Sequence, residues 1–391
     1  MAALLVTVTA VQGLSTFAVL ALPTLATRAS ATFGVGAEAV GYQISIVYLA
    51  GAALSSIAGL FVRRWGAALT SIVALALTCL GVLAMASGQL ALTILASAAL
   101  GCGYALTNPA ASHLLFRFAP RHRQNLVFAL KQTGVPMGGM VAALLLPTLA
   151  ERFGWQAAMA IGAGLLAVVI VPLAFMRTRL DDDRDPTFRV KGGMLAGVLL
   201  VARHPRLRAL AIMGLTYASF QFCLFAFLIT MLAQDFGWSL IAAGQMVTGM
   251  QIGGVVGRIA WSVLADRIGH GLDLLVGIGI ASAAFALVVA TATAAWPVWL
   301  FAVVLFGFGF CLVGWNGLWM AEIARACHPQ EVGLATGGVL VFTFGGIVFG
   351  PAAFATLYRV LGSYALTFGA FSVMALIGVA ALLSVRTRGG S

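Results

Sequence analysis

Along the 391 residues, polar positions are rare and they are bunched. Apolar runs of about 20 residues, the length that crosses a bilayer's hydrocarbon, alternate with short clusters of charge, Gly and Pro. Breaking the chain at those clusters predicts twelve membrane-spanning helices: 3–26, 38–62, 68–87, 90–117, 124–149, 155–176, 209–233, 240–264, 271–294, 297–324, 331–358 and 363–385. The stretch 177–208, containing "RTRLDDDRDPTFRVK", is the one segment long and polar enough to link two domains. The expected organisation is therefore an all-α membrane protein: a six-helix bundle over 1–176, a linker over 177–208 and a second six-helix bundle over 209–391.

Composition removes the alternatives. Hydrophobic residues make up 62% of the chain, charged residues 8%, and the mean hydropathy is +1.05. A soluble domain carries about 25% charged residues, so this chain cannot build a water-facing surface. The first apolar run has no basic leader or cleavage signal, and it is read as a helix that stays. The five cysteines lie in or beside apolar runs without C-x-x-C spacing, which suits neither a disulfide framework nor a zinc site. No phosphate-binding loop follows a strand, and no cofactor is expected.

A net charge of +11 would suggest nucleic acid in a soluble protein, but here the basic residues have a side. Of 22 Lys and Arg, 17 fall on one set of loops, with only Arg28, Arg152 and Arg359 on the other. The positive-inside rule puts both termini and the linker in the cytoplasm, with the chain in the cytoplasmic membrane. No nucleic-acid partner is expected; the surroundings are lipid, and the chain is expected to act as a monomer.

The two halves repeat each other. "TFGVGAEAVGYQISIVYLAG" (32–51) aligns with "DFGWSLIAAGQMVTGMQIGG" (235–254) at an offset of 203, which also matches Arg64 to Arg267 and Gly66 to Gly269. Gly101/Gly307 and Gly103/Gly309 follow at 206, and Gly138–Gly139/Gly345–Gly346 at 207. Such a parallel repeat, with "SVLADRIG" (262–269) set against the signature G-x-x-x-D-R-x-G, resembles the major facilitator superfamily. "GLFVRRWG" (59–66) is the first-half counterpart, with Arg63 where the aspartate belongs. The resemblance implies alternating-access transport and a cytoplasmic gate made of Asp266, Arg267, Glu322 and Arg64. The departure at Arg63 suggests that the second half carries the latch.

Two cations lie inside apolar spans. Lys131 lies seven residues into the fifth span, about 10 Å at 1.5 Å per residue, and Arg258 lies six residues before the end of the eighth. A charge at mid-helix costs about 2.5–3.5 kcal/mol, so each should face a cavity or a partner. No carboxylate lies at mid-span; Glu38, Glu322, Glu331 and Asp266 are all near span ends. By the resemblance, the fifth and eighth helices meet along the boundary between halves, and the two cations would form an anion clamp there. The alternatives are that Lys131 snorkels to the interface and that Arg258 pairs with Asp266 or Glu322. "GVVGRIAWSVLADRIG", preceded by "FGWS", resembles the eighth helix of monocarboxylate and oxalate/formate transporters, which implies that Arg258 engages a carboxylate. "KQTGVP" is similar to the fifth helix of cyanate-permease-like members.

Softer candidates are Gln12, Gln43, Tyr48, Gln132, Gln251 and Trp319, together with Tyr104, Asn108, Tyr217, Gln221, Trp315 and Asn316. The resemblance favours the last six as substrate-binding, because helices one, four, seven and ten line the cavity in this family. An interhelical hydrogen bond worth about 0.6 kcal/mol is the plainer role for each. His113 is the one histidine in a span and the candidate for proton coupling. Asn108-Pro109 and Pro136 should break or kink their helices, and the glycines at 134, 138, 139, 345 and 346 should let helices approach closely. The expected activity is secondary transport of a small organic anion with protons or a counter-anion. The competing readings are an efflux pump for lipophilic solutes, a membrane-embedded enzyme, for which no catalytic constellation is visible, and a receptor.

Overall fold

The computed structural model describes residues 2–118, 127, 130–187, 195–328 and 331–386. Arg121, Arg123, Arg189, Lys191 and Arg388, used above to orient the chain, lie outside the described residues. Among the described residues, twelve helices are long and apolar enough to cross a membrane, and their spans agree with the sequence reading to within a few residues at most ends. The second span belongs to a helix that runs from Val40 to Trp65, past its expected end at 62, and the fifth is described from Leu130 to Phe153. The residues before Leu130, from which Lys131's depth was counted, lie largely outside those described.

The chain divides into two units, residues 1–192 and 193–391. The first contains α1 (Ala2–Thr24), a short α2 (Ala26–Phe33), a 3-10 turn (Ala37–Ala39), α3 (Val40–Trp65), α4 (Ala67–Met85), α5 (Leu90–Phe118), α6 (Gly134–Phe153) and α7 (Trp155–Leu180). The second contains α8 (Leu195–Arg203), α9 (Pro205–Gln234), α10 (Leu240–Ile268), α11 (Gly271–Ala290), α12 (Val298–Leu312), α13 (Asn316–Arg325), α14 (Val332–Leu361) and α15 (Tyr364–Arg386). Among the described residues of the expected linker 177–208, most are helical. α7 runs on to Leu180, and "LAGVLLVAR" forms α8 because its apolar positions have a seat: Val201 is buried, and a Cβ at Gly338 of α14 would overlap the Gly197 carbonyl.

Each unit is closed by glycines at helix crossings. In the first, a Cβ at Gly138 of α6 would overlap the Gly13 carbonyl of α1, and one at Gly101 of α5 would overlap the Val47 carbonyl of α3. In the second, Gly346 of α14 meets Leu215 of α9, and Gly309 of α12 meets Met250 of α10. Small residues at such crossings let backbones pack where lipid removes the usual hydrophobic drive. Outward faces carry large apolar side chains such as Phe116, Phe175, Phe349 and Val360, as a hydrocarbon solvent requires. The buried Thr78 hydroxyl is satisfied within its own helix, donating to the Ala74 carbonyl at 2.7 Å.

One of the two expected interruptions is present: the fifth span is broken by a turn at Thr133, and Pro136 lies in the first turn of α6, where its missing N–H is one of the donors a helix start leaves over anyway. α5 runs on through Pro109 without ending. A further break was not expected: the tenth span, read as continuous over 297–324, divides between α12 and α13 at residues 313–315.

Candidate functional site

In the first unit, Lys131 lies just before α6, where Thr133 forms a turn and donates to the Leu130 carbonyl at 2.6 Å. The Lys131 side chain is 1% exposed, so it does not snorkel. Its Nζ donates to Asn108 Oδ1 on α5, while Asn108 itself is exposed. Among the described residues no carboxylate is paired with this ammonium. One turn away on α5, Tyr104 packs edge-on against buried Tyr48 of α3, with centroids 5.6 Å apart.

In the second unit, the break at 313–315 organises the polar groups. Losing helical geometry frees carbonyls, and side chains collect them. Trp261 Nε1 donates to the Phe310 carbonyl at 3.0 Å, Arg258 Nε to Val313 at 3.2 Å, and Asn316 Nδ2 to Val313 at 3.4 Å. Gly257 and Gly314 make this possible, since a Cβ on either would overlap the Phe310 carbonyl oxygen. Gln221 Oε1 of α9 accepts from Trp315 Nε1 at 2.9 Å and from Asn316 Nδ2 at 3.3 Å, which ties α9 to the break. The structure therefore brings Arg258, Gln221, Trp315 and Asn316 into one group. Of these, Gln221 and Trp315 are buried, and Arg258 and Asn316 are half-buried.

Tyr217 leaves the expected set. It is fully buried, donates to the Leu275 carbonyl at 3.0 Å, and fills space that a Cβ at Gly279 or Gly378 would take, so it is a core residue of the second unit. Trp319, donating to the Leu210 carbonyl at 2.9 Å, is another. The "FGWS" segment also has a structural account: Ser239 caps α10 by accepting from Ala242 N at 3.2 Å, while Phe236 and Trp238 flank Phe301.

The gate residues separate. Glu322 is buried, bonded by Arg206 and Arg325 at 2.7 Å each, and Arg325 reaches Asp266 at 4.0 Å. Arg64 and Arg267 are exposed. The first unit has its own network, which the reading of "RLDDDRD" as linker missed. Asp181 accepts from Ala68 N at 2.7 Å and Leu69 N at 2.9 Å, capping α4 where Gly66, at φ +94°, leaves room for the carboxylate. Arg117 pairs with Asp182 at 2.5 Å and Asp183 at 3.1 Å. The Arg117 guanidinium holds the Asp182 carboxyl below the usual carboxylate range. His113 belongs to this network, its Nε2 lying 2.7 Å from Asp183 Oδ2. The sequence signal was three aspartates directly after an apolar span.

A family model described as Major Facilitator Superfamily matches residues 4–333. The chain belongs to that superfamily. As a superfamily member with twelve candidate spans it is a multi-pass membrane protein. It is 29% identical over 170 residues to an uncharacterized MFS-type transporter of Mycobacterium tuberculosis, covering 41% of this chain and 35% of the relative. It is also 29% identical over 169 residues to Monocarboxylate transporter 13 of Bos taurus, covering 43% and 38%. These matches span little more than a third of the curated relatives' length. Among solved structures the fold is similar to the nucleoside transporter NupG, with TM-score 0.79, 14% identity and 97% and 99% of the chains covered. It is also similar to the peptide transporter POT, with TM-score 0.77, 13% identity and 98% and 94% covered.

Proposed function

We propose that this superfamily member is a secondary active carrier that moves a small carboxylate-type anion by alternating access, with protons or in exchange for another anion. Its termini lie on the cytoplasmic side. The observation that carries the reading is the buried Lys131 ammonium, whose partner is a neutral amide. A cation in hydrocarbon costs about 2.5–3.5 kcal/mol, and an amide oxygen offsets only part of that. A substrate carboxylate meets the exposed Asn108 amide first, then replaces its oxygen on Lys131. In the other unit, Arg258 is oriented by the Val313 carbonyl beside Asn316, and a guanidinium can fork a carboxylate with two parallel hydrogen bonds. The partial similarity to a monocarboxylate transporter supports the same substrate class.

The test is uptake of labelled lactate, formate and oxalate into proteoliposomes. Lys131→Gln and Arg258→Gln are each expected to lower uptake at least about tenfold, the loss of one charged hydrogen bond. Asn108→Asp, which supplies the missing counter-charge, should do the same while leaving the protein folded. Unchanged uptake in both Gln variants refutes the role of these cations.

A further inference from the structure

The first unit holds a cavity of about 230 Å³ that the anion reading does not use. The end of α1, α2, the turn Ala37–Ala39, the start of α3 and the start of α5 converge on it, all within residues 22–97. α5 carries Arg117 and its aspartate partners at its opposite end. The cavity therefore belongs to the face that the distribution of basic residues assigns to the outside.

Its wall is apolar, with Leu22, Phe33, Val40, Ile46 and Ile94 prominent, and among the described residues no charged side chain lines it. Four hydroxyls line it too, those of Ser30, Tyr42, Thr93 and Ser97, and the three on serine and threonine have spent their protons locally. Ser30 donates to the Thr27 carbonyl at 3.2 Å, Thr93 to Gln89 at 3.0 Å and Ser97 to Thr93 at 2.7 Å. Gln43 differs. It is 7% exposed, and among the described residues neither its Oε1 nor its Nε2 has a hydrogen-bond partner. Native proteins leave very few such groups unmatched, and a primary amide presents two donors beside an acceptor. An apolar molecule with a donor and an acceptor on adjacent atoms fits both the wall and the amide.

We infer that this cavity binds a small neutral amphiphile, an aromatic or branched apolar body bearing one carboxamide or hydroxyl group, docked on the Gln43 amide. The site shares no residue with Lys131, Asn108 or Arg258, so it stands independently of the transported anion.

The experiment measures binding of benzamide, benzyl alcohol and toluene to the full chain in lipid nanodiscs by saturation-transfer NMR, with empty nanodiscs as the partition blank. Benzamide and benzyl alcohol should bind about tenfold more tightly than toluene, the worth of one well-made hydrogen bond. Gln43→Leu should erase that preference and keep toluene binding. Ala39→Phe, which places a ring in the cavity, should abolish all three, and it serves alone should the Leu variant fail to accumulate. Equal affinities in the wild type, a preference that survives Gln43→Leu, binding that survives Ala39→Phe, or no binding above the blank each overturns the proposal.

Discussion

Gly345 and Gly346 are neighbours on α14, yet a Cβ on Gly346 would overlap the Leu215 carbonyl oxygen of α9, while one on Gly345 meets nothing within 4 Å. Gly346→Ala should therefore force α9 and α14 apart, costing about 1–3 kcal/mol, the usual range for overpacking. Gly345→Ala should stay within about 0.5 kcal/mol of the parent. Thermal unfolding of the two variants in one detergent checks this, and equal melting temperatures would refute the close crossing. The sequence marked both positions alike, because a Gly-Gly pair announces a close approach but not which member faces it. That depends on helix rotation, which only packing decides. Lys131 teaches the same lesson. Its placement in an apolar run was legible, whereas its bond to Asn108 requires knowing that α5 runs alongside. Tyr217 was misread because a tyrosine on a cavity-lining helix and one facing the adjacent core look identical in sequence, and two glycines on other helices made its pocket.

Among the elements, the spans were legible because hydrocarbon thickness sets their length, but helix ends and interruptions follow chemistry that is distant in the chain. α4 starts where Asp181, more than a hundred residues away, accepts from two of its first backbone N–H groups. A carboxylate there satisfies otherwise unmatched donors and complements the helix dipole. Asp181→Ala should cost about 1–2 kcal/mol, the cap together with its charge, with Asp181→Asn intermediate; circular-dichroism melts read the difference. The neighbouring Arg117–Asp182 pair has a defined pH sign. Because the folded-state carboxyl titrates below its ordinary value, its contribution is present above that ordinary value and fades as pH falls through the lowered one. Arg117→Gln should raise the Asp182 titration toward that of an ordinary carboxylate, as followed by carboxyl-carbon NMR. The interruption of the tenth span escaped notice for a related reason. No proline marks it; three side chains from two helices make it tolerable by collecting the Phe310 and Val313 carbonyls. Trp261→Phe leaves the Phe310 oxygen without its indole donor and should destabilise the second unit by about 1–3 kcal/mol.

For the whole molecule, the constraint is electrical. The superfamily and its twelve spans were readable, because each is a regularity of the entire chain and not of one contact. What a carrier with cationic binding groups must then solve is entry of negative charge into a negative interior, which costs about 2.3 kcal/mol per elementary charge at 100 mV. His113 is poorly placed to bring a compensating proton: its side chain is 40% exposed and lies in the aspartate network at the end of α5, bonded to Asp183. With no carboxylate paired to Lys131 among the described residues, the proposed carrier leaves the substrate's own carboxyl as the group that takes up a proton, and the transported unit is then neutral. Uptake of a monocarboxylate into proteoliposomes should accordingly rise with an inward proton gradient and stay constant when valinomycin and potassium set the membrane potential from 0 to about −100 mV, against the roughly 50-fold change that 2.3 kcal/mol would impose on an uncompensated anion. His113→Gln should leave that dependence on the proton gradient in place. Exchange predicts instead that uptake requires an internal anion and ignores the proton gradient. An uptake that follows the potential would mean that charge crosses unbalanced, and both forms of the anion mechanism would fall together.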